Sequence, residues 1–186
     1  MITVLMATYQ GRQYLEQQLD TILAQTVPVK ILISDDGSDD GTREMLDNYA
    51  GWYPEQVVLH HRTEHTGGAA GNFFWLMQEA LKDEKNEYIL FSDQDDVWEN
   101  DKVSVMLHRM KGLEKGLGSA CPILLYSDME VVDEELYEIS PSFASYTHQD
   151  PDRSSFAELL VENQVTGGAS MINRALLTRC AKAPEV

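Results

Sequence analysis

Positive charge is what this sequence has least of. Fourteen lysines and arginines face 31 aspartates and glutamates along 186 residues, a formal net charge of −17. No basic stripe forms, so a nucleic-acid backbone is excluded as a partner. A nucleotide ligand is not excluded, because a divalent cation can carry phosphates into a carboxylate-rich site. Cysteine is nearly absent: Cys121 and Cys180 lie far apart without CxxC spacing, which predicts reduced core thiols and a cytoplasmic protein. The histidines, His60, His61, His65, His108 and His148, share no metal-ligand spacing. A charged-then-apolar leader is lacking and no apolar run approaches ~18 residues, so neither signal peptide nor membrane span is expected. Internal repeats and low-complexity tracts are lacking too. What remains, at 43% hydrophobic and 24% charged residues, is the composition of one globular domain with a sizeable core.

The densest feature is Ser92-Asp93-Gln94-Asp95-Asp96-Val97-Trp98, entered from Tyr88-Ile89-Leu90-Phe91. Four apolar residues, two of them aromatic, predict a short buried strand, and the acids begin where it stops. With Glu99 and Asp101, five carboxylates fall within nine residues. At ~4 Å each like-charged pair repels by on the order of 1 kcal/mol even in water. A solvated loop would spread them, but here a strand before and Trp98 after hold the backbone. Carboxylates kept together predict a hard cation with oxygen ligands. A calcium loop starting at Asp93 is excluded, because Val97 and Trp98 stand where a ligand and a glycine are needed.

Taken in order, Ile2 to Ala7 predicts a strand ending in the polar turn Thr8-Tyr9-Gln10-Gly11. Tyr14, Leu15, Leu19, Ile22 and Leu23 recur at helical spacing and predict an amphipathic helix over 12–25. A second strand, Val29 to Ile33, ends at Ser34-Asp35-Asp36-Gly37-Ser38, and a helix over 42–50 turns Met45, Leu46 and Tyr49 inward. Val57 to His60 is a third strand. Thr66 to Asn72 opens a helix bearing Phe73, Phe74, Met77, Ala80 and Leu81, and after the 88–91 strand a helix over 101–112 buries Val103, Met106, Leu107 and Met110. Alternating strands and helices predict an α/β fold, a mostly parallel central sheet flanked by helices. Ligands of such sheets bind beyond the carboxyl ends of the strands. The turns at Thr8-Tyr9, Asp35-Asp36 and Asp93 to Asp96 therefore converge on one edge and predict a site there.

The later part reads differently. Ile123 to Tyr126 and Met129 to Val132 predict short strands, and 137–153, holding Pro141 and Pro151, a long loop. Ser154 or Ser155 caps a short helix carrying Phe156, Leu159 and Leu160. Val165 to Ile172 reads as a glycine-interrupted strand, a pattern that marks close backbone approach to a ligand, and Arg174 starts a last helix.

Several of these stretches stand together in one order: Ala7-Thr8-Tyr9 with Tyr14-Leu15 and Gln17-Gln18-Leu19; Ser34 to Ser38 with Asp40-Gly41-Thr42; Gly71-Asn72-Phe73; Ser92 to Trp98; and Val165-Thr166-Gly167-Gly168. In that set, over residues 2 to about 177, the chain resembles the family 2 glycosyltransferases of the GT-A fold. It is most similar to bacterial rhamnosyltransferase-like members of cell-surface polysaccharide synthesis. The resemblance implies a Rossmann-like nucleotide-diphospho-sugar transferase fold, one domain over 1–186 with a nucleotide-sugar half to about 100 and a partial acceptor half after it. It implies inverting, metal-dependent transfer from a UDP- or dTDP-sugar donor to a saccharide or lipid-linked acceptor.

By position, the resemblance places Asp36 on the base, with Ala7, Thr8, Tyr9, Asn72, Asp93 and Gln94 binding the nucleotide sugar. Asp93 and Asp95 hold Mn²⁺ or Mg²⁺, and Gly167 and Gly168 form the acceptor-side loop. A cation held by one or two carboxylates keeps positions open for diphosphate oxygens and neutralises charge on the leaving group. Two departures stand out. The later His-Asp-Trp-like or acidic motif is absent, so the catalytic base is expected beyond Val186, the domain is expected to be truncated, and a nucleotide-sugar-binding module without transfer is the rival reading. Gln10 stands where Asn is common, and its longer arm cannot close the same Asx turn. A lipid-linked acceptor would add peripheral contact with the inner face of the plasma membrane. A truncated edge exposing Tyr, Trp and Met would add self-association.

Plainer readings stand beside some of these residues. Asp36 could cap the helix at 42–50, a task better placed on Asp39 and Asp40. Asp96 points away from Asp95 on an extended backbone and reads as supporting rather than ligating. Trp98 reads as a core anchor, Asn72 equally as a cap or a ligand contact, and Arg62 as solvated. Asp39-Asp40-Gly41-Thr42 imitates a phosphatase DxDGT but puts Ser38 at the nucleophile's position, and the basic triphosphate loop of a sugar nucleotidyltransferase is missing.

Overall fold

Strand β1 (Ile2–Thr8) is buried almost end to end, as a strand with core on both faces must be. Its residues alternate between two cores. Val4 and Met6 pack with Ile31, Ile33 and Leu90 on one face, and Leu5 packs with Leu32 and Ile89 on the other. The computed structural model describes residues 1–62, 67–150, 153, 155, 157–158 and 163–182. In it β2 (Lys30–Asp35) and β4 (Tyr88–Ser92) flank β1 in parallel, and β3 (Val57–His61) lies parallel to β2. The six-stranded sheet runs β3-β2-β1-β4-β8-β5, where β5 is Leu124–Tyr126 and β8 is Ser170–Asn173. Strand β8 is antiparallel to both its neighbours.

Helices α1 (Leu15–Leu23), α2 (Thr42–Trp52) and α4 (Lys102–Leu117) cover the first face through Leu15, Leu19 and Ile22, Met45, Leu46 and Tyr49, and Val103, Met106 and Met110. Helix α3 (Ala69–Lys82) covers the other. Its buried line is Asn72, Leu76 and Ala80 at a spacing of four. Leu76, absent from the expected set, is thus the central contact; Phe73, Met77 and Leu81 are half-buried beside it, and Phe74 is half-buried outside that cluster. Right-handed crossovers explain the sidedness. From β1 to β3 the chain steps one way with helices on one face, so the step back past β1 to β4 must put α3 on the opposite face. The strand order reverses between β1 and β4, the place where such sheets open a crevice for ligands.

The second half corrects three expectations. Residues 137–153 are not one loop: β6 (Val131–Val132) pairs antiparallel with β7 (Glu138–Ser140), and α5 (Phe143–Tyr146) follows. Asp133 builds the connecting turn by accepting from the Glu135 and Tyr137 amides, and Ser142 caps α5 by accepting from Ser145. Gly167 and Gly168 lie in a 3₁₀ turn (Gly167–Ala169), not a strand, and β8 begins only at Ser170. Last, α4 runs to Leu117 through Gly112 and Gly116, past the expected end. Helix α6 (Arg174–Cys180) starts where expected, with the Asn173 side chain accepting from Leu176. Ser154, Phe156, Leu159 and Leu160 of the expected short helix, and His65 and Thr66, lie outside the described residues. Cys121 and Cys180 are half-buried free thiols, and Cys121 packs against the main core. Among the described residues no helix is long and apolar enough to cross a membrane.

Candidate functional site

Beyond the carboxyl edge of the parallel strands lies a cavity of about 690 Å³, within the usual range of small-ligand sites. Ala7, Thr8 and Tyr9 line it from the end of β1, Asp36 from β2, and Asp93, Gln94 and Asp95 from β4. Helix α3 adds Ala69 and Asn72, and the turn before it Gly67 and Gly68. The cavity thus gathers every residue expected to contact nucleotide sugar or metal. The glycines at the start of α3 were not expected there, although a Gly-Gly pair ahead of a helix is a visible signal.

The two aspartates ending β2 divide their tasks. Asp35 is fully buried and faces inward. It pairs with Arg43 at 2.7 Å and accepts from the Ser38 hydroxyl, the Ser38 and Gly37 amides and the Thr8 hydroxyl. Burial alone would raise its pKa, but the bonds from Ser38, Arg43 and Gly37 outweigh that and hold it below the ordinary carboxylate value. Asp35 builds the turn, and Asp36 is left facing the cavity. Capping of α2 falls to Asp40, which accepts from Thr42. Asp39 bonds instead to Gln10.

Gln10 explains its own departure from Asn. At φ 52° it sends its amide across to Asp39 rather than closing a local turn, while its own N–H donates to Ser38. The Gly11 and Arg12 amides donate to Thr42 and Asp40. The turns after β1 and β2 are therefore stitched together by side-chain-to-backbone bonds.

The acid loop is anchored from behind. Gln18 of α1 is fully buried; its amide reaches the Ser92 hydroxyl, the Trp98 indole and the Asp96 carbonyl. Thr21 accepts from the Trp98 amide, and Gln25 bridges the Glu99 carbonyl and the Val103 amide. Trp98 is a core residue, 2% exposed, with the Lys102 ammonium 4.1 Å above its ring. The anchoring roles of Gln18, Thr21 and Gln25, on α1 and just after it, are not visible in the sequence, because a glutamine on or beside an amphipathic helix normally faces water.

Asp93 is half-buried, and burial followed by the charges of Asp96 and Asp95 pushes its pKa up. Asp96 does not line the cavity. It is raised by burial against the opposing effect of Lys102, whose own pKa burial lowers to about 8. Lys102 donates to the Gly168 carbonyl at 2.8 Å. A Cβ on Gly168 would lie 2.6 Å from Asp96 Oδ2 and 3.1 Å from Asp93 Oδ2, whereas Gly167 has open space. The two glycines expected at the acceptor side thus differ: only Gly168 is shaped to the acids. Asp95 is exposed at the cavity.

The remaining candidates lie elsewhere. Arg62 is half-buried, its guanidinium stacking 4.6 Å over Trp75, and it does not line the cavity. His60 meets the edge of Trp75 and His61 pairs with Asp47. Asn72 is no cap. It sits inside α3, donates to the Ser34 carbonyl, and leaves its buried Oδ1 without a hydrogen bond. Among the described residues no cluster of three or more His, Cys, Asp or Glu is assembled for a metal.

A family model described as Glycosyl transferase family 2 matches residues 3–178. A dTDP-rhamnosyl transferase, RfbG of Shigella flexneri, is 39% identical over 99 residues, 53% of this chain and 34% of the relative. A poly(ribitol-phosphate) beta-glucosyltransferase of Bacillus spizizenii is 28% identical over 184 residues, 89% of this chain and 26% of the relative. The chain thus spans about a third or less of these relatives. Among solved structures, residues 1–349 of S. aureus TarS superpose with a TM-score of 0.60 at 16% identity, covering 96% of this chain and 48% of that one. The same fragment has been solved with UDP-GlcNAc. The likeness to TarS shows the fold, the GT-A type with its mostly parallel sheet flanked by helices.

Proposed function

Since this chain belongs to glycosyl transferase family 2, we propose that it binds a UDP- or dTDP-linked sugar and serves its transfer to a saccharide or lipid-linked acceptor in bacterial cell-surface polysaccharide synthesis. The observation that carries the reading is the meeting of three parallel strand ends around one cavity, with Asp36 on one wall and Asp93 and Asp95 on another. The names of the relatives, a dTDP-rhamnosyl transferase and a beta-glucosyltransferase, and the TarS complex with UDP-GlcNAc support it.

In this reading Asp36, 6% exposed, accepts hydrogen bonds from the base, and Tyr9, 53% exposed, offers it a ring face. Helix α3 presents its N-terminus, whose partial positive charge favours diphosphate oxygens. The donor set of Asp93 and Asp95 fits Mn²⁺ or Mg²⁺. It is all oxygen, it comprises two carboxylates rather than a closed cage, and Asp93 already suffers from neighbouring negative charge that a cation relieves. Bound there, such an ion supplies Lewis-acid neutralisation of the departing nucleoside diphosphate, consistent with inverting transfer. The chain's own residues hold the base, orient the diphosphate and, through Lys102 and Gly168, keep the 3₁₀ turn against the acid loop.

Calorimetric titration of UDP and dTDP, with and without Mn²⁺, tests this. Metal-dependent binding is expected, weakened at least about tenfold in Asp95→Ala, the low end of what disturbed metal sites lose. Absence of binding for both nucleotides at millimolar concentration rejects the reading. Binding with no sugar transfer to any acceptor favours the module without catalysis.

A further inference from the structure

Gln94 lies between Asp93 and Asp95 and lines the cavity, yet both ends of its amide are already occupied. Its Oε1 accepts from the Tyr9 N–H and its Nε2 donates to the Tyr9 carbonyl, each at 2.9 Å. Direct pairing of β1 with β4 ends at Met6 and Ser92. The Gln94 side chain therefore continues the ladder beyond its end, pairing with the backbone as another strand residue would. It does so at the point where the strand order reverses, between the wall carrying Thr8 and Tyr9 and the wall carrying Asp93 and Asp95.

A second observation is independent of those bonds. A Cβ on Gly11 would sit 2.3 Å from Gln94 Oε1 and 2.5 Å from its Cδ. Gly11 is not among the glycines of positive φ, so backbone freedom does not account for it. Its missing side chain is the space that the Gln94 amide fills.

We propose that Gln94 is a positioning residue rather than a ligand contact: it clips the Thr8–Tyr9 wall to the acid loop, so that binding at one end of a nucleoside diphosphate favours the geometry needed at the other. The inference rests on the nucleotide-sugar reading above. A nucleoside diphosphate has to touch both walls, and a clip between them makes cation–diphosphate and nucleoside binding mutually reinforcing. Two neutral hydrogen bonds, each worth about fivefold in an equilibrium, set the scale.

The test is calorimetry of UDP and dTDP with and without Mn²⁺, and of uridine alone, on the wild type, Gln94→Ala, Gln94→Met, Gly11→Ala and the Gly11→Ala/Gln94→Ala double variant; melting temperatures check folding. Wild type is expected to gain UDP affinity from Mn²⁺. Gln94→Ala and Gln94→Met should lose about five- to thirtyfold of that gain. Gly11→Ala keeps the amide but evicts it, and should show the same loss. In the double variant the clash is gone, so its loss should match Gln94→Ala alone, a non-additivity expected only of residues in contact. Full metal enhancement in Gln94→Ala overturns the proposal. So does a Gly11→Ala that binds like wild type while Gln94→Ala does not, because the amide would then be a ligand contact. Failure of wild type to bind UDP or dTDP rejects the site reading itself, and the inference falls with it.

Discussion

The turns that surround the cavity and the segment between β5 and the 3₁₀ turn share aspartate, serine and glutamine, but they bond to different places. Around the cavity the bonds are long-range. Gln10 reaches Ser38 and Asp39, Gly11 reaches Thr42, and Gln94 reaches Tyr9, partners 28, 29, 31 and 85 residues apart. Between 128 and 146 many are local: Asp133 to 135 and 137, Asp128 to 129, Ser142 to Ser145. The first arrangement makes the geometry of the cavity a property of the whole sheet. The second makes a self-contained ribbon, with Tyr137 at 71% and Ile139 at 55% exposure. A turn held by its own neighbours can vary without consequence for the sheet; one held by two other strand ends cannot.

The sharpest way to break that comparison is to remove apolar volume on each side of it. Leu76→Ala empties a fully buried position between α3 and the sheet and should cost about 2–5 kcal/mol by denaturant unfolding. Ile139→Ala on the ribbon should stay within about 0.5 kcal/mol. A comparable loss at Ile139 would mean that the ribbon is covered, and the contrast would fail.

A smaller effect separates the two adjacent glycines of the 3₁₀ turn that leads into β8. Gly168→Ala drives a methyl group against Asp96 and Asp93 and should cost about 1–3 kcal/mol through overpacking, with weaker nucleotide binding. Gly167→Ala meets open space and should leave both unchanged. Equal effects at the two positions would show that the acids move aside freely.

The same contrast decides what could be read in advance. Strands β1 to β4 and helices α1 to α4 were legible because continuous apolar runs and helical spacing report burial directly, and the convergence of polar turns follows from parallel topology. Of the ribbon only β6 was legible, within Met129 to Val132; β7 was not, because a strand of three residues is too short to show alternation. Nor was the division of labour within the site. Asp35 and Asp36 are the same residue one position apart, and only the fold shows which one Arg43 takes. Gln94 could be read as a ligand contact from its place in the acid stretch, since nothing in the sequence says that Tyr9 takes both ends of its amide.

The mildest probe is pH. Asp35 and Asp128 both have pKa values below the ordinary carboxylate range, burial opposing and hydrogen bonds prevailing in each. Asp35 is buried and Asp128 exposed. An unfolded aspartate titrates near about 3.9, so as pH falls the unfolded chain takes up its proton first. Stability is therefore full above that value and drains as pH drops through the lower folded one, by at most about 1.4 kcal/mol per pH unit for one group. Asp35→Asn lacks this term. Its stability deficit relative to wild type should be constant above about pH 5 and narrow below about pH 4. Asp128→Asn should run nearly parallel to wild type throughout, since its partners compete with water. Urea unfolding between pH 3 and 7 reads both curves. A narrowing gap at Asp128 and none at Asp35 would place the acid-sensitive joint in the ribbon instead of at the strand ends.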